Sequence, residues 1–195
     1  MTATTKSFIY GMLILLALSC NKDDDKGGIS QNFVTNGDIE NGRQDWNIGF
    51  SGQSIDNNYM HGVSDEFASS PKSSLFISCE TAKNKEAFTY FVQSFPASSF
   101  KKGDNLTLKV QVKGDNLIGN GVSVAFRGDK EGQSLPVFFK TSQGFNPLIG
   151  TFPFKEVKVN LNPYQGDADQ IIVFLILLPE TTGKVYFDDI SLTVE

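Results

Sequence analysis

The most informative stretch of the sequence is Asn32-Phe-Val-Thr-Asn-Gly-Asp-Ile-Glu40, and its counterpart is Val185-Tyr-Phe-Asp-Asp-Ile-Ser-Leu192 about 150 residues later. In the first stretch, a short apolar run leads into Asn36-Gly37, a pair that favours a turn. One apolar residue then separates two acids, Asp38 and Glu40. The pattern predicts a turn followed directly by carboxylates.

The second stretch places two acids, Asp188 and Asp189, inside an otherwise apolar strand. A buried carboxylate is costly unless it meets solvent, a partner or a cation. Carboxylates from both ends of the chain could share one hard ion, and calcium suits such a site because it takes about six to eight oxygen ligands. The alternative is that Asn36-Gly37 is only a turn and that the acids line a solvated edge.

The two motifs resemble those of carbohydrate-binding modules of the family 4/9/22 type, which are β-sandwich jelly rolls. The resemblance covers most of residues 32–195, with the Asn-Gly-Asp-Ile-Glu run, a following Gly and Trp, and the closing Asp-Asp-Ile-Ser-Leu. It implies an all-β fold with two antiparallel sheets over 32–195. It also implies a structural calcium as cofactor, held by Glu40 and Asp188 with Asp38 and Asp189 as neighbours.

Residues 1–19 have the pattern of an export signal. Lys6 precedes an apolar run that is too short to span a bilayer comfortably, and the run ends in Ser19-Cys20. The segment resembles the lipobox of bacterial lipoproteins, with Ala17 at the position where Leu is usual. The resemblance implies acylation of Cys20 and a membrane anchor at that residue. An uncleaved single-span anchor is the alternative.

Residues 20–31 are polar and contain glycine, which predicts a flexible tether. The acidic run 23–25 resembles the signal that sends lipoproteins of glycan-degrading Gram-negative bacteria to the outer face of the outer membrane. The resemblance implies a lipid-anchored protein at the cell surface. An ordinary solvated linker is the alternative.

Composition excludes several classes of function. The formal net charge is −5 and the sequence shows no basic cluster, so nucleic acid and anionic lipid are poor partners. With Cys20 acylated, Cys79 has no partner for a disulfide and is predicted to pack as a small hydrophobe. His61 is the single histidine, and without a second His or Cys nearby it is a weak candidate for a metal ligand or a general base.

Alternating apolar patterns without a long helical period predict an antiparallel sandwich. Residues 49–65 are predicted to form a loop or a pair of short edge strands. The predicted strands are 74–79, 86–95, 105–113, 121–127, 154–161, 170–178 and 185–192.

The strand at 86–95 is apolar on both faces. In a sandwich one face meets the core, and the other can floor a groove where a sugar stacks on an aromatic ring while an amide binds its hydroxyls. A central strand covered by a loop is the alternative. The candidate ligand contacts are Tyr59, Phe91, Gln93, Arg127, Phe139 and Tyr164.

Three functions compete. The first is non-catalytic glycan binding at the cell surface, with glycan-uptake proteins or hydrolases as partners, although 17 Phe against one Trp weakens the stacking argument. The second is a structural or protein-interaction module built on the same sandwich. The third is a small glycoside hydrolase or lyase, which is less supported because no carboxylate pair, nucleophile elbow or metal-ligand spacing is evident.

Overall fold

The computed structural model describes residues 31–52, 57–144 and 147–195. The predicted signal 1–19, the lipidation site Cys20 and all of the tether except residue 31 lie outside this range. Within it, no helix is long and apolar enough to cross a bilayer. The strands are β1 (Asn47–Ser51), β2 (Tyr59–Ser64), β3 (Ser74–Cys79), β4 (Phe88–Pro96), β5 (Leu106–Asp129), β6 (Phe138–Thr141), β7 (Leu148–Leu161), β8 (Gln170–Leu177) and β9 (Thr182–Val194), with a short 3-10 helix at Ala97–Ser99.

The strands form two antiparallel sheets that share β5. The first sheet has the order β1-β4-β8-β5-β6 and uses the C-terminal half of β5, from Val122 to Asp129. The second sheet has the order β2-β3-β9-β5-β7 and uses mainly the N-terminal half of β5. The predicted all-β, two-sheet antiparallel sandwich is confirmed.

The long strand β5 replaces two predicted strands. The sequence predicts separate strands at 105–113 and 121–127, but the chain stays extended between them and passes from one sheet to the other. Register shifts against β7 mark the crossing between Val112 and Val122. Gly119 and Gly121 have positive φ angles there, so the strand bends where glycine tolerates the strained backbone.

The core lies between the two sheets. Strand β3 buries Leu75, Ile77 and Cys79 on one face, as its alternation predicts. Burial raises the pKa of the Cys79 thiol, which suits its packing as a small hydrophobe. Trp46 is also buried, and its indole Nε1 donates to the carbonyl of Asn36 at 3.1 Å.

The stretches 32–40 and 185–192 lie side by side. The amide of Ile190 donates to the carbonyl of Gly37 at 2.8 Å, and the amide of Phe33 donates to Leu192 at 2.9 Å. A Cβ atom on Gly37 would overlap the carbonyl oxygen of Ile190. The two stretches therefore meet through backbone contacts for which Gly37 is needed.

Candidate functional site

Among the described residues, Asp188 is the carboxylate that accepts the most hydrogen bonds. It lies where the stretch 185–192 meets the stretch 32–40. It is fully buried. Its Oδ2 accepts hydrogen bonds from the amides of Ser69 (2.6 Å) and Ser70 (2.8 Å). Its Oδ1 accepts from the Ser70 hydroxyl (2.9 Å) and from the amide of Asp189 (2.8 Å). Burial raises the pKa of Asp188, and these donors oppose that rise.

Glu40 makes a similar contact with the same loop, because its Oε1 accepts from the amides of Lys72 (3.0 Å) and Ser73 (3.3 Å). Asp38 and Asp189 are exposed beside this junction. The four predicted calcium ligands are therefore brought to one region of the molecule.

The donor set does not fit a calcium ion as arranged. Both oxygens of Asp188 and one of Glu40 face N–H or O–H donors, whose positive ends would have to give way to a cation. No group of three or more His, Cys, Asp or Glu side chains suited to a metal occurs within the described ranges. Calcium binding remains a prediction from the sequence. In the structure, the carboxylate oxygens of Asp188 and Glu40 accept hydrogen bonds.

A groove of about 400 Å³ lies on the outer face of the first sheet, away from the core. Phe174, Ile176 and Leu178 form its floor and pack on Ala125, and the ring centroid of Tyr90 lies 5.3 Å from that of Phe174. The floor thus combines aromatic rings with aliphatic side chains. The groove is lined by Phe50, Ser51, Phe88, Tyr90, Arg127, Phe139, Gln143, Phe174, Ile176, Leu178 and Pro179.

Arg127 supplies the positive charge of the groove. Its guanidinium lies 5.1 Å from the ring centroid of Phe174 and donates to Asp129 at 2.9 Å, so its charge is balanced locally. Its Nε is buried and has no hydrogen-bond partner in the described part of the chain. Phe139 is paired with Arg127 across β5 and β6 and is 50% exposed. These two predicted ligand contacts lie together in the groove.

Gly49 allows the Tyr90 ring to lie over β1. The two residues are paired across β1 and β4, and a Cβ atom on Gly49 would overlap the tyrosine ring. The glycine is therefore a packing requirement of the groove. Phe50, one residue later, lies at the border of the groove, where its ring contacts Tyr59 and His61 at the edge of the sheet.

Four predicted ligand contacts are corrected by the structure. Phe91 is fully buried and Tyr164 is 1% exposed, so their rings belong to the core. Gln93 is 5% exposed, and its amide is bonded to both backbone groups of Thr35. Tyr59 packs against the core and donates its hydroxyl to the carbonyl of Ala87. Phe91, Gln93 and Tyr164 are thus buried, and Tyr59 is partly buried with its hydroxyl already hydrogen-bonded.

On β4, the wrong prediction concerns which face of the strand is turned toward the core. Its aromatic residues alternate between both faces, and the structure turns Phe91 and Gln93 inward while Phe88 and Tyr90 face the groove. Sequence reasoning missed these two residues and the outer row of β8. The available signal was that both strands are apolar on both faces, but the pattern alone does not say which face is covered.

His61 lies at the edge between the sheets and is not part of the groove. Its Nε2 is 2.7 Å from the hydroxyl of Thr89, and its ring makes edge contacts with Phe50 and Phe91. Burial, with a smaller contribution from the charge of Arg43, lowers the pKa of His61 to about 4. The residue is a neutral packing element at neutral pH.

No protein-family model and no curated protein matches the sequence. Among solved structures, a CBM4 module matches with a TM-score of 0.56 at 16% identity, over 83% of this chain and 99% of the module. The fold is that of carbohydrate-binding modules. A second such module, TmCBM61 in complex with β-1,4-galactotriose, matches with a TM-score of 0.56 at 13% identity, over 85% of this chain and 100% of that one.

The carbohydrate-binding-module fold also occurs within a larger protein. The enzymatically active domain of tailspike protein 4 from bacteriophage CBA120 matches with a TM-score of 0.61 at 16% identity. The match covers 84% of this chain and 21% of the tailspike chain, so this protein corresponds to a small part of it. At these identities the likeness concerns the fold, and it confirms the resemblance stated from the sequence.

Proposed function

We propose that the groove on the first sheet binds a glycan chain and that the protein is a non-catalytic binding module. The proposal rests on one observation. The aromatic rings of Tyr90, Phe139 and Phe174 line the same open groove as the guanidinium of Arg127. Sugar rings stack their apolar C–H faces on aromatic side chains, and a guanidinium offers several N–H donors to hydroxyl groups.

The charge balance in the groove favours an uncharged sugar chain. Asp129 pairs with Arg127 at 2.9 Å, and Gln143 contributes an amide to the lining. The remaining described lining is aromatic, aliphatic, hydroxyl or proline, whereas glycoside hydrolysis uses a pair of carboxyl groups. This composition supports binding.

The shape of the site separates glycan binding from the protein-interaction alternative. A protein partner is favoured by a flat apolar patch, and a sugar chain by a groove with an aromatic floor. The apolar side chains here lie at the bottom of a groove, with Phe174 and Ile176 each only 8% exposed. The geometry supports the sugar chain.

Affinity gel electrophoresis against a panel of neutral polysaccharides tests the proposal. We expect retardation by at least one of them, and Phe139→Ala should weaken it about tenfold because a stacked ring is lost. Phe67→Ala is the matched control, since Phe67 is also partly exposed but packs on Tyr186 of the second sheet. No retardation by any member, or equal losses in both variants, would contradict the proposal.

We further propose that Cys20 anchors the protein to the outer face of the outer membrane, beside glycan-uptake proteins or hydrolases. The support is the resemblance of residues 1–25 to lipoprotein signals. Cells grown with an alkyne-bearing fatty acid should label the wild-type chain but not Cys20→Ala, and external protease should degrade the labelled protein. Labelling of the variant, or full protease protection in intact cells, would rule out the corresponding part of this proposal.

A further inference from the structure

We propose a second binding site, for an acidic sugar chain, in the cleft between β6 and β7. This cleft has a volume of about 750 Å³ and is larger than the aromatic groove. Its walls come from β6, at the free edge of the first sheet, and β7, at the free edge of the second. The choice of a sugar as ligand rests on the proposed function, whereas the choice of an acidic one rests on the cleft itself.

The cleft is positively charged although the chain is acidic. Among the described residues of its lining, three are lysines (Lys140, Lys155 and Lys158) and one is an acid (Glu156), in a protein of formal net charge −5. Lys140 comes from β6, and Lys155 and Lys158 come from β7, so folding brings lysines from two separate strands to one cleft. Such a local excess of cations attracts anionic ligands at moderate ionic strength.

Two of the lysines are free of close acidic partners in the described residues. The ammonium of Lys155 lies 4.2 Å from the ring centroid of Phe152, which positions the charge without neutralising it. Lys140 is exposed on β6 and forms no ion pair within the described ranges. Lys158 instead lies 3.4 Å from Glu195. We therefore assign the main role in binding to Lys140 and Lys155.

The lining also suits a chain with apolar faces. Val157 and the buried side chains of Leu148 and Val159 supply an aliphatic surface. Lysine ammonium groups at its rim can pair with carboxylates or sulfates that repeat along a polysaccharide. An acidic sugar chain presents both features, since its C–H faces are apolar and its acid groups are regularly spaced.

Strand β6 separates the two proposed sites. Successive side chains of a strand point to opposite faces, so Phe139 faces the groove while Lys140 faces the cleft. In the connection that follows, Ser142 lines the cleft and Gln143 lines the groove. Variants of one site therefore need not disturb the other.

The experiment uses the full chain and a fluorescent galacturonate oligosaccharide, with its methyl ester as the uncharged probe and a sulfated galactan oligosaccharide as the second acidic probe. We expect the chain to bind one or both acidic probes at least about tenfold more tightly than the ester, and binding to weaken when salt rises from about 0.05 M to 0.5 M. The acid that binds identifies the anionic group.

The double variant Lys140→Ala/Lys155→Ala should reduce acidic binding about tenfold or more. The matched control is Lys101→Ala/Lys102→Ala, which removes the same charge from an exposed loop and should change it less than about twofold. Phe139→Ala should leave acidic binding intact. Acidic binding with this profile supports the cleft even if no neutral glycan binds the groove, so the two proposals fail separately.

Three outcomes would overturn the inference. The first is that neither acidic probe binds, which would indicate that the lysines only prevent a strand of another chain from pairing with the edge of the sheet. The second is an equal loss in both double variants, which would indicate non-specific charge attraction. The third is tighter binding of a single-stranded RNA oligonucleotide than of either sugar, which would make the cleft a site for another polyanion.

Discussion

The sequence predicted that Asp188 lies in an apolar strand, but it did not predict which groups would bond its carboxylate. The sequence marks it as a costly acid in an apolar strand, and the structure balances the cost with four hydrogen bonds from the loop at Ser69 and Ser70 and from Asp189. A carboxylate with several such donors is strongly tied to its surroundings, because each donor would be left unpaired without it.

Asp188→Asn should destabilise the fold by about 2–3 kcal/mol, because the new amide N–H group must face existing N–H donors. The control is Asp189→Asn, at an exposed neighbour, which should change the free energy of unfolding by less than about 0.5 kcal/mol. Urea unfolding monitored by fluorescence measures both. Equal effects would show that the bonds to Asp188 contribute little.

His61 predicts a loss of stability in acid. Its pKa is about 4 in the folded protein against an ordinary value of 6.5, so the unfolded chain binds the proton more readily. The contribution of the neutral imidazole is fully present above about pH 6.5 and is lost as the pH falls towards about 4.

The melting temperatures of His61→Gln and the wild type should therefore differ less at pH 4.5 than at pH 7.5. The variant lacks the imidazole that titrates in this window, while all other titratable groups are the same in both proteins. Thermal unfolding of both proteins at the two pH values checks this. A constant difference in melting temperature would mean that His61 does not titrate in this window.

At the scale of elements, the groove depends on how β1 and β4 pack. Gly49 of β1 lies under the ring of Tyr90 of β4, and a side chain at this position would push the ring away. The groove face of β4 is thus shaped by its neighbour as well as by its own residues.

Gly49→Ala should cost about 1–3 kcal/mol of stability through overpacking and should also weaken neutral-glycan binding, because the Tyr90 ring has to move. Asn47→Ala on the same strand is the control, since Asn47 is exposed and opposite Val92. Urea unfolding and affinity electrophoresis give the two readouts. Unchanged binding by a folded Gly49→Ala variant would remove Tyr90 from the ligand contacts.

At the scale of the whole molecule, the junction of the chain ends closes the sandwich. Backbone bonds link Gly37 with Ile190 and Phe33 with Leu192, while Glu40 and Asp188 hold the loop around residues 69–73. These contacts join segments that are far apart in sequence, so they depend on the tertiary fold.

Chelation decides between hydrogen bonds and a structural calcium at this junction. From the donor geometry we expect the melting temperature to be the same with EDTA as with calcium, because N–H groups already satisfy the carboxylates. A fall of several degrees with EDTA, abolished in Glu40→Gln, would instead support the calcium that the motifs imply. Calorimetry of the full chain in both buffers is the measurement.

The sequence by itself determined the strands whose two faces differ. Strand β3 and the N-terminal half of β5 alternate between apolar and other side chains, so their core faces follow from the pattern. The two paired motifs, through their resemblance to carbohydrate-binding modules, likewise predicted the sandwich, in which Glu40 and Asp188 bond to the same loop. The opposite parity of Arg127 to Val124 and Phe126 also predicted that its side chain leaves the core.

The tertiary structure alone decided what depends on neighbours distant in sequence. Strand β4 is apolar on both faces, and contacts distant in sequence, such as the hydrogen bonds of the Gln93 amide with Thr35 and the packing of Phe91 in the core, accompany the burial of one face. The continuity of β5 depends on both sheets pairing with it, and the lysine cleft depends on β6 meeting β7. The local pattern shows which side chains are apolar enough to be buried. Contacts between distant parts of the chain determine which of those side chains are buried in the folded protein.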